Sequence, residues 1–177
     1  FNLLNADINN PNWGDGRNVR EQLSQANIVT TVSESTRKDI LARTDVDCKI
    51  IYFPIQNIID LNLSKEIEFL YVGRLFNEEK RFDDVVQTIN LFGHPVRRLV
   101  IIGPEDPNIH PMIGSYVGQK NSKELNIFYN KSKFLLSPCK HEGSLCVFEA
   151  ILANCIPILS VDNEWVKEFN LISFSCD

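Results

Sequence analysis

The chain has 177 residues, enough for one sizeable domain or for one domain with part of another. Hydrophobic residues make up 44% of it and charged residues 23%, the balance of an ordinary globular protein. The net charge of -5 offers no basic face for nucleic acid, and no apolar run approaches the roughly 20 residues that a membrane helix needs.

The start of the chain and its cysteines favour a cytoplasmic protein. The first residue is Phe rather than Met and no signal peptide is visible, so we expect a fragment. An odd number of cysteines without CxxC spacing predicts reduced, mostly buried thiols. Because the three histidines are scattered, we expect no zinc site. These residues are Cys48, Cys139, Cys146, Cys155 and Cys176, with His94, His110 and His141.

Short apolar runs alternate with helical patterns along the whole chain. Most of these runs are rich in Val, Ile, Leu or Phe and lack alternation, which is typical of strands covered on both faces. The predicted strands are residues 28–32, 49–53, 68–72, 98–102, 133–137 and 156–160.

Three helices are predicted between the later strands, over residues 79–92, 122–130 and 145–153. The first has apolar residues at the spacing of one helix face. The second begins with Asn121 and Glu124 in a capping-box pattern. The alternation of strands and helices predicts right-handed parallel crossovers, and therefore a Rossmann-like, doubly wound α/β sheet. Ligands of such sheets bind at the carboxyl ends of the strands.

The pattern changes near residues 54–66, which have the composition of a connection rather than of a regular element. The block before it is too short for a complete domain of this type. We therefore predict part of one domain over residues 1–53, a linker over 54–66 and a Rossmann-like domain over 67–177.

A glycine and two cations follow the predicted strand that ends at residue 72. Gly73 allows a tight turn and the close approach of a ligand to the backbone. Arg74 and Lys80, the second at the start of the next helix, place positive charge where a diphosphate would sit. Alone the pattern is weak, because such cations more often lie on solvated surface.

A second group of residues begins where the strand over 133–137 leads into a loop and a new helix. The loop places Glu142 just before the first turn of that helix, where the amides of Gly143, Ser144 and Leu145 would point toward an anion or toward sugar hydroxyls. Glu149, two turns further on, would accept hydrogen bonds from a ribose. On spacing alone, a helix acid stabilised by the dipole is an equally good interpretation of Glu142.

Taken in order, these patterns resemble the retaining GT-B glycosyltransferases, the glycosyl transferases group 1 family. The resemblance covers nearly the whole chain and rests on five segments. They are residues 26–35, like the last strand and helix of the acceptor domain; 69–75 with Lys80, the "GRL … K" signature; 99–103, the next strand; 116–118 with Glu124 and Leu125, the "G … EL" segment; and Pro138, Glu142, Gly143, Glu149, Ala150 and Pro157, the "P..EG … EA … P" region.

The resemblance implies an enzyme that transfers a sugar from a UDP or GDP sugar to a glycan or lipid-linked acceptor, with retention of configuration. It implies no metal and no other cofactor. The chain would comprise the donor-binding domain, without its last helices, and the end of the acceptor domain. Peripheral membrane contact through the rest of the acceptor domain stays open, as do the base and the sugar of the donor.

The resemblance also assigns roles to single positions. Arg74 and Lys80 would hold the donor diphosphate and offset negative charge as the bond to the leaving phosphate breaks. The other implied donor-site positions are Gly73 at the turn, Glu142 at the sugar with the amides of Gly143, Ser144 and Leu145, Glu149 at the ribose, and the loops near Gly103 and Val117 around the base.

Two departures from the family pattern bear on these roles. Glu142 and Glu149 enclose six residues where the family has seven. A one-residue shift turns a helix by about 100°, which would turn Glu149 away from the ribose. Asn154 stands near where the family favours Gly, although Asn tolerates a left-handed cap. Two alternatives stay open: a nucleotide-sugar-binding module without transfer activity, and another GT-B enzyme such as an epimerase.

Overall fold

The computed structural model describes residues 21, 23–52, 54–55, 57–75, 80–91, 93, 98–104, 114–139 and 145–175. Contacts within the chain divide it into two compact units, Phe1–Pro54 and Ile55–Asp177. The limits predicted from the sequence, 1–53, 54–66 and 67–177, stay a prediction.

In the first unit, two short parallel strands are joined by a helix. β1 (Thr30–Thr31) pairs with β2 (Lys49–Ile50), and α1 (Glu34–Thr44) connects them. The side chain of Ser33 caps the start of α1, and Asp45, in the left-handed conformation, ends it. A small apolar core of this unit contains Leu23, Val29, Ile40 and Cys48.

The second unit is built on a six-stranded parallel sheet, which confirms the predicted fold class. Its spatial order is β5-β4-β3-β6-β7-β8, and every neighbouring pair is parallel. The chain thus starts in the middle of the sheet, builds toward one edge and then returns to build toward the other, which leaves a topological switch point between β3 and β6. The strands are β3 (Ile67–Val72), β4 (Leu99–Ile102), β5 (Ser115–Tyr116), β6 (Ser132–Ser137), β7 (Ile156–Ser160) and β8 (Ile172–Phe174).

Four helices of the second unit are described: α2 (Phe82–Leu91), α3 (Ser122–Lys131), α4 (Leu145–Leu152) and α5 (Glu164–Glu168). The predicted capping box of α3 is present, because the Asn121 side chain accepts from backbone amides and the Glu124 carboxylate accepts from the Asn121 amide at 3.0 Å. Asn154, after α4, has a φ of 55°, the left-handed conformation that the sequence suggested.

The predicted strands and helices agree with the structure except at their ends and in the shortest elements. The predicted strand over 28–32 is reduced to Thr30–Thr31 and the one over 49–53 to Lys49–Ile50, because only these residues form a ladder. The helix predicted from residue 79 begins at Phe82; residues 79 and 92 lie outside the described part of the chain. Three elements were not predicted, β5, α5 and β8, and α1 was implied only by the resemblance over residues 26–35.

Buried apolar side chains of the strands and of α2 form the main core. Phe69 and Tyr71 of β3 pack with Phe82, Val85 and Ile89, which lie on the predicted apolar face of α2. The core continues into β4 and β6 through Leu99, Ile101 and Leu136.

Four cysteines of the described residues are buried and form no disulfide, as the sequence predicted: Cys48, Cys139, Cys146 and Cys155. Burial raises the pKa of the Cys155 thiol to about 12, so this group is protonated at neutral pH. Cys176 lies outside the described residues.

An extended segment before β3 is fastened to α3 by two buried asparagines, Asn126 and Asn130. The Ile59 amide donates to Asn126 Oδ1 at 3.1 Å, and the Leu61 amide donates to Asn130 Oδ1 at 2.6 Å. Asn130 Nδ2 in turn donates to the Ile59 carbonyl at 2.9 Å. Side-chain amides therefore take the place of a neighbouring strand in pairing this backbone.

Replacing Asn130 with Ala is expected to lower the free energy of unfolding by about 2–4 kcal/mol, because two backbone groups lose their partner. Urea unfolding measures the change. Asn90→Ala, at an exposed position of α2, is the matched control and should stay within about 0.5 kcal/mol of the parent. Equal stability of the two variants would show that Asn130 does not anchor the segment.

Candidate functional site

Adjacent parallel strands bring four of the predicted donor-site residues to one edge of the sheet. Gly73 and Arg74 follow β3, Gly103 follows β4, and Val117 follows β5. Because β5, β4 and β3 are neighbours and all run the same way, their carboxyl ends lie side by side. The switch point lies next to β3 along this edge, where β6 is followed by Pro138 and Cys139. This is where open α/β sheets bind their ligands.

The ends of β3 and β4 are in close backbone contact. The Gly73 amide donates to the Ile102 carbonyl at 2.9 Å. A Cβ added to Gly103 would overlap the Gly73 carbonyl oxygen, far closer than real side chains allow. Gly103 is therefore required by this packing, whatever else it does.

A buried tyrosine of β3 holds the backbone at Arg74 by a hydrogen bond. The Tyr71 hydroxyl donates to the Arg74 carbonyl at 2.8 Å. Burial raises the pKa of Tyr71 well above its ordinary value, so the hydroxyl keeps its proton and remains a donor. Arg74 itself is exposed at the edge.

The ammonium of Lys80 lies on the β6 side of the switch point. Its Nζ is 3.8 Å from Sγ of Cys139, directly beyond the end of β6. Since Arg74 follows β3 and Lys80 reaches the end of β6, the two cations flank the switch point. Their role at a diphosphate stays a prediction. Neither has an ion-pair partner among the residues that the structure describes.

Arg81, beside Lys80, is held in an unusual conformation. Its φ of 47° is left-handed, which is uncommon for a residue with a side chain. The guanidinium forms an ion pair with Asp84 and hydrogen bonds with Ser160 Oγ at 3.3 Å and Asp162 at 3.4 Å. These bonds connect the entry to α2 with the end of β7 and hold the backbone next to Lys80.

Glu149 is half-buried in α4 and faces α3. The Tyr129 hydroxyl donates to Glu149 Oε2 at 2.7 Å, and Tyr129 is fully buried. Leu145 is the first residue of α4, which follows β6, so the helix begins at the carboxyl edge of the sheet. Glu142, Gly143 and Ser144 lie outside the described residues, and their roles stay predictions.

Three contacts near the edge were not predicted from the sequence. Lys120 Nζ donates to the Val117 carbonyl at 2.5 Å, and the Tyr116 hydroxyl donates to the Gly103 carbonyl at 3.0 Å. Asn163 Nδ2 donates to the Cys139 carbonyl at 2.8 Å while its Oδ1 caps α5. Each contact fixes a carbonyl that follows a strand, and no local sequence pattern signals a contact of this kind.

The described residues contain neither a candidate metal cluster nor a candidate membrane span. No group of three or more His, Cys, Asp or Glu side chains there is placed to hold a metal ion. None of the described helices has the length and apolar character to span a bilayer.

Solved structures, but neither sequence comparison, give matches for this chain. No family model matches the sequence, and no curated protein matches it. AviGT4, a glycosyltransferase involved in avilamycin A biosynthesis, matches with a TM-score of 0.65 and 16% identity over 84% of this chain and 49% of its own. Sucrose-phosphate synthase from Thermosynechococcus elongatus matches with a TM-score of 0.64 and 17% identity over 89% of this chain and 47% of its own.

A third match is the pneumococcal O-GlcNAc transferase GtfA, solved with UDP and GlcNAc. Its TM-score is 0.59, with 16% identity over 80% of this chain and 31% of its own. The chain has the α/β fold of the GT-B glycosyltransferases and is similar to part of their structure. It spans about half the length of AviGT4 and of sucrose-phosphate synthase, and about a third of GtfA.

Gly103→Ala is expected to destabilise the domain by about 3 kcal/mol, because the new methyl meets the Gly73 carbonyl and a backbone atom cannot rotate away. Gly93→Ala is the contrast: its φ is 68°, but no atom of the described residues lies within 4 Å of a Cβ added there, so it should cost only about 1 kcal/mol of backbone strain. Urea midpoints compare the two. A Gly103 variant as stable as the Gly93 variant would contradict the close contact.

Proposed function

We propose that this chain carries the donor-binding domain of a glycosyltransferase, an enzyme that moves a sugar from a UDP or GDP sugar to a glycan or lipid-linked acceptor with retention of configuration. One observation carries the proposal: Arg74 and Lys80 flank the switch point of a Rossmann-ordered sheet. The glycosyltransferases that share the fold support the reaction class.

The donor diphosphate would lie between the two cations. Arg74 offers a planar fork of donors and Lys80 a compact ammonium, and both attract phosphate oxygens. When the bond between the sugar and the diphosphate breaks, negative charge grows on the leaving oxygen. Cations already in place stabilise that charge without reorganisation, which lowers the barrier.

The nucleoside would extend along the carboxyl ends of β4 and β5. Gly103 and Val117 lie there, and their carbonyls are already engaged by Tyr116 and Lys120. A base at this edge would therefore meet a backbone of fixed geometry. GtfA was solved with UDP, which makes UDP a natural first probe alongside GDP.

The sugar would lie toward the start of α4. Glu142 would accept hydrogen bonds from its hydroxyls, and the amides of Gly143, Ser144 and Leu145 would face it from the first turn of the helix. Glu149 would bind the ribose. A module that binds the donor without transfer would make the same contacts. Only a measurement of turnover therefore distinguishes a transferase from a binding module.

Arg74→Ala is expected to weaken binding of UDP or GDP, whichever the parent binds, by roughly 1.5–3 kcal/mol, as for the loss of a charged hydrogen bond. Calorimetry measures the affinity. The matched control is Arg98→Ala, because Arg98 pairs with Glu68 at the amino end of β4, on the opposite edge of the sheet. Equal affinity in the parent and the Arg74 variant would remove the diphosphate role.

We also propose that no metal is needed, since Arg74 and Lys80 supply the positive charge. The full-length gene product should release free nucleotide slowly from its donor without an acceptor, and EDTA should leave that rate unchanged. Glu142→Gln should lower the rate while binding of the free nucleotide stays nearly the same. If EDTA abolished nucleotide release and Mg²⁺ or Mn²⁺ restored it, metal independence would be refuted. A changed sugar in place of free nucleotide would indicate an epimerase. No nucleotide release at all would indicate a binding module.

A further inference from the structure

Among the described residues, the side-chain hydrogen bond of the Glu149 carboxylate is to a fully buried tyrosine of another helix. The Tyr129 hydroxyl of α3 donates to Glu149 Oε2 of α4 at 2.7 Å. Tyr129 is fully buried, whereas Glu149 is half-buried. The pair therefore reaches from the interior toward the surface, with the charged member outermost.

Tyr129 lies in the last turn of α3, away from the proposed site, and its side chain reaches back to Glu149 in the second turn of α4. α3 follows β5 and α4 follows β6, so both helices begin at the carboxyl edge of the sheet and run away from it. Side chains on a helix lean toward its amino terminus, and those of Tyr129 and Glu149 therefore lean toward that edge. α3 packs on β3, β6 and α4, so the two side chains meet over the strands that border the switch point.

The chemistry of the pair leaves one carboxylate oxygen for a ligand. Burial, with smaller contributions from Cys146 and Glu149, raises the pKa of Tyr129 far above its ordinary value, so the tyrosine is the donor and the carboxylate the acceptor. A carboxylate has two oxygens and accepts several hydrogen bonds. With Oε2 held by Tyr129, the position of Oε1 is restricted.

From this geometry we infer that Tyr129 is a positioning residue, which holds Glu149 so that its second oxygen accepts hydrogen bonds from the ribose of a nucleoside diphosphate. The inference rests on the proposed function. It also addresses the short spacing between Glu142 and Glu149: an anchor on α3, outside the helix that carries Glu149, sets the direction of the carboxylate independently of the length of the loop before α4.

The test is the preference for a ribose over a deoxyribose. Calorimetry on the parent compares UDP with 2′-deoxy-UDP, and GDP with 2′-deoxy-GDP. A charged hydrogen bond to the 2′-hydroxyl corresponds to a preference of about tenfold or more. Tyr129→Phe removes only the positioning hydroxyl, and the preference should fall at least threefold. A preference unchanged from the parent, with thermal stability reduced, would overturn the inference and leave Tyr129 a structural residue.

Two further variants test the same point, and the first of them does not rely on the folding of a Tyr129 variant. Glu149→Gln should also reduce the ribose preference, and an unchanged preference would overturn the inference by itself. The double variant should show the same preference as Glu149→Gln alone, because Tyr129 acts through Glu149. Additive losses would mean that Tyr129 acts by another route and would equally overturn it.

Controls separate this inference from the proposed function. Ser132→Ala removes a hydroxyl that donates to Phe128 at the far end of α3, and the ribose preference should stay at the parent value. Arg74→Ala should weaken the ribose and deoxyribose nucleotides equally, because it acts on the diphosphate. If the parent binds neither UDP nor GDP, the proposed function fails and the inference fails with it. If the parent binds one of them and Tyr129→Phe leaves its preference for ribose over deoxyribose unchanged, only the inference fails.

Discussion

The close contact between Gly73 and Gly103 is the constraint on which the carboxyl edge of the sheet depends. A carbonyl oxygen occupies the space that a side chain on Gly103 would need, so the ends of β3 and β4 approach as backbones alone. Neither of these two residues therefore places a side chain of its own at the middle of the edge. Polar groups then enter from the flanks, where Arg74 continues from β3 and Lys80 reaches across to Cys139 after β6.

The backbone beside Lys80 is held in an unfavourable conformation at Arg81. Arg81 has a left-handed φ, a conformation that typically costs on the order of 1 kcal/mol for a residue with a side chain. Its bonds to Asp84, Ser160 and Asp162 offset that cost and neutralise its own charge. The neighbouring Lys80 is thereby left as the cation that faces the switch point. Two adjacent basic residues thus differ: Arg81 holds the backbone, and Lys80 is the residue proposed to meet the donor diphosphate.

The sequence predicted what local patterns encode and missed what depends on distant contacts. The apolar runs of β3, β4, β6 and β7 predicted the parallel sheet, because strands covered on both faces need such runs. β5, with only Ser115–Tyr116, is too short for any pattern, and its place is set by pairing with β4. In the site, Gly73 and Arg74 were predicted from the strand that precedes them, whereas the left-handed φ of Arg81 has no local signature, since Gly and Asn are the residues that usually announce one.

The pair formed by Tyr129 and Glu149 shows why the glutamate was the least predictable of the described site residues. Its spacing from Glu142 suggests a helix turned by about 100° relative to the family pattern, and sequence alone says nothing of a partner 20 residues earlier on another helix. A half-buried carboxylate needs a hydrogen-bond donor wherever it points, and a buried hydroxyl needs an acceptor. Each side chain therefore satisfies the other, and the direction of Glu149 depends on how α3 packs against α4 rather than on the length of one loop. A change of spacing along the chain can in this way leave the position of a functional group in space unchanged.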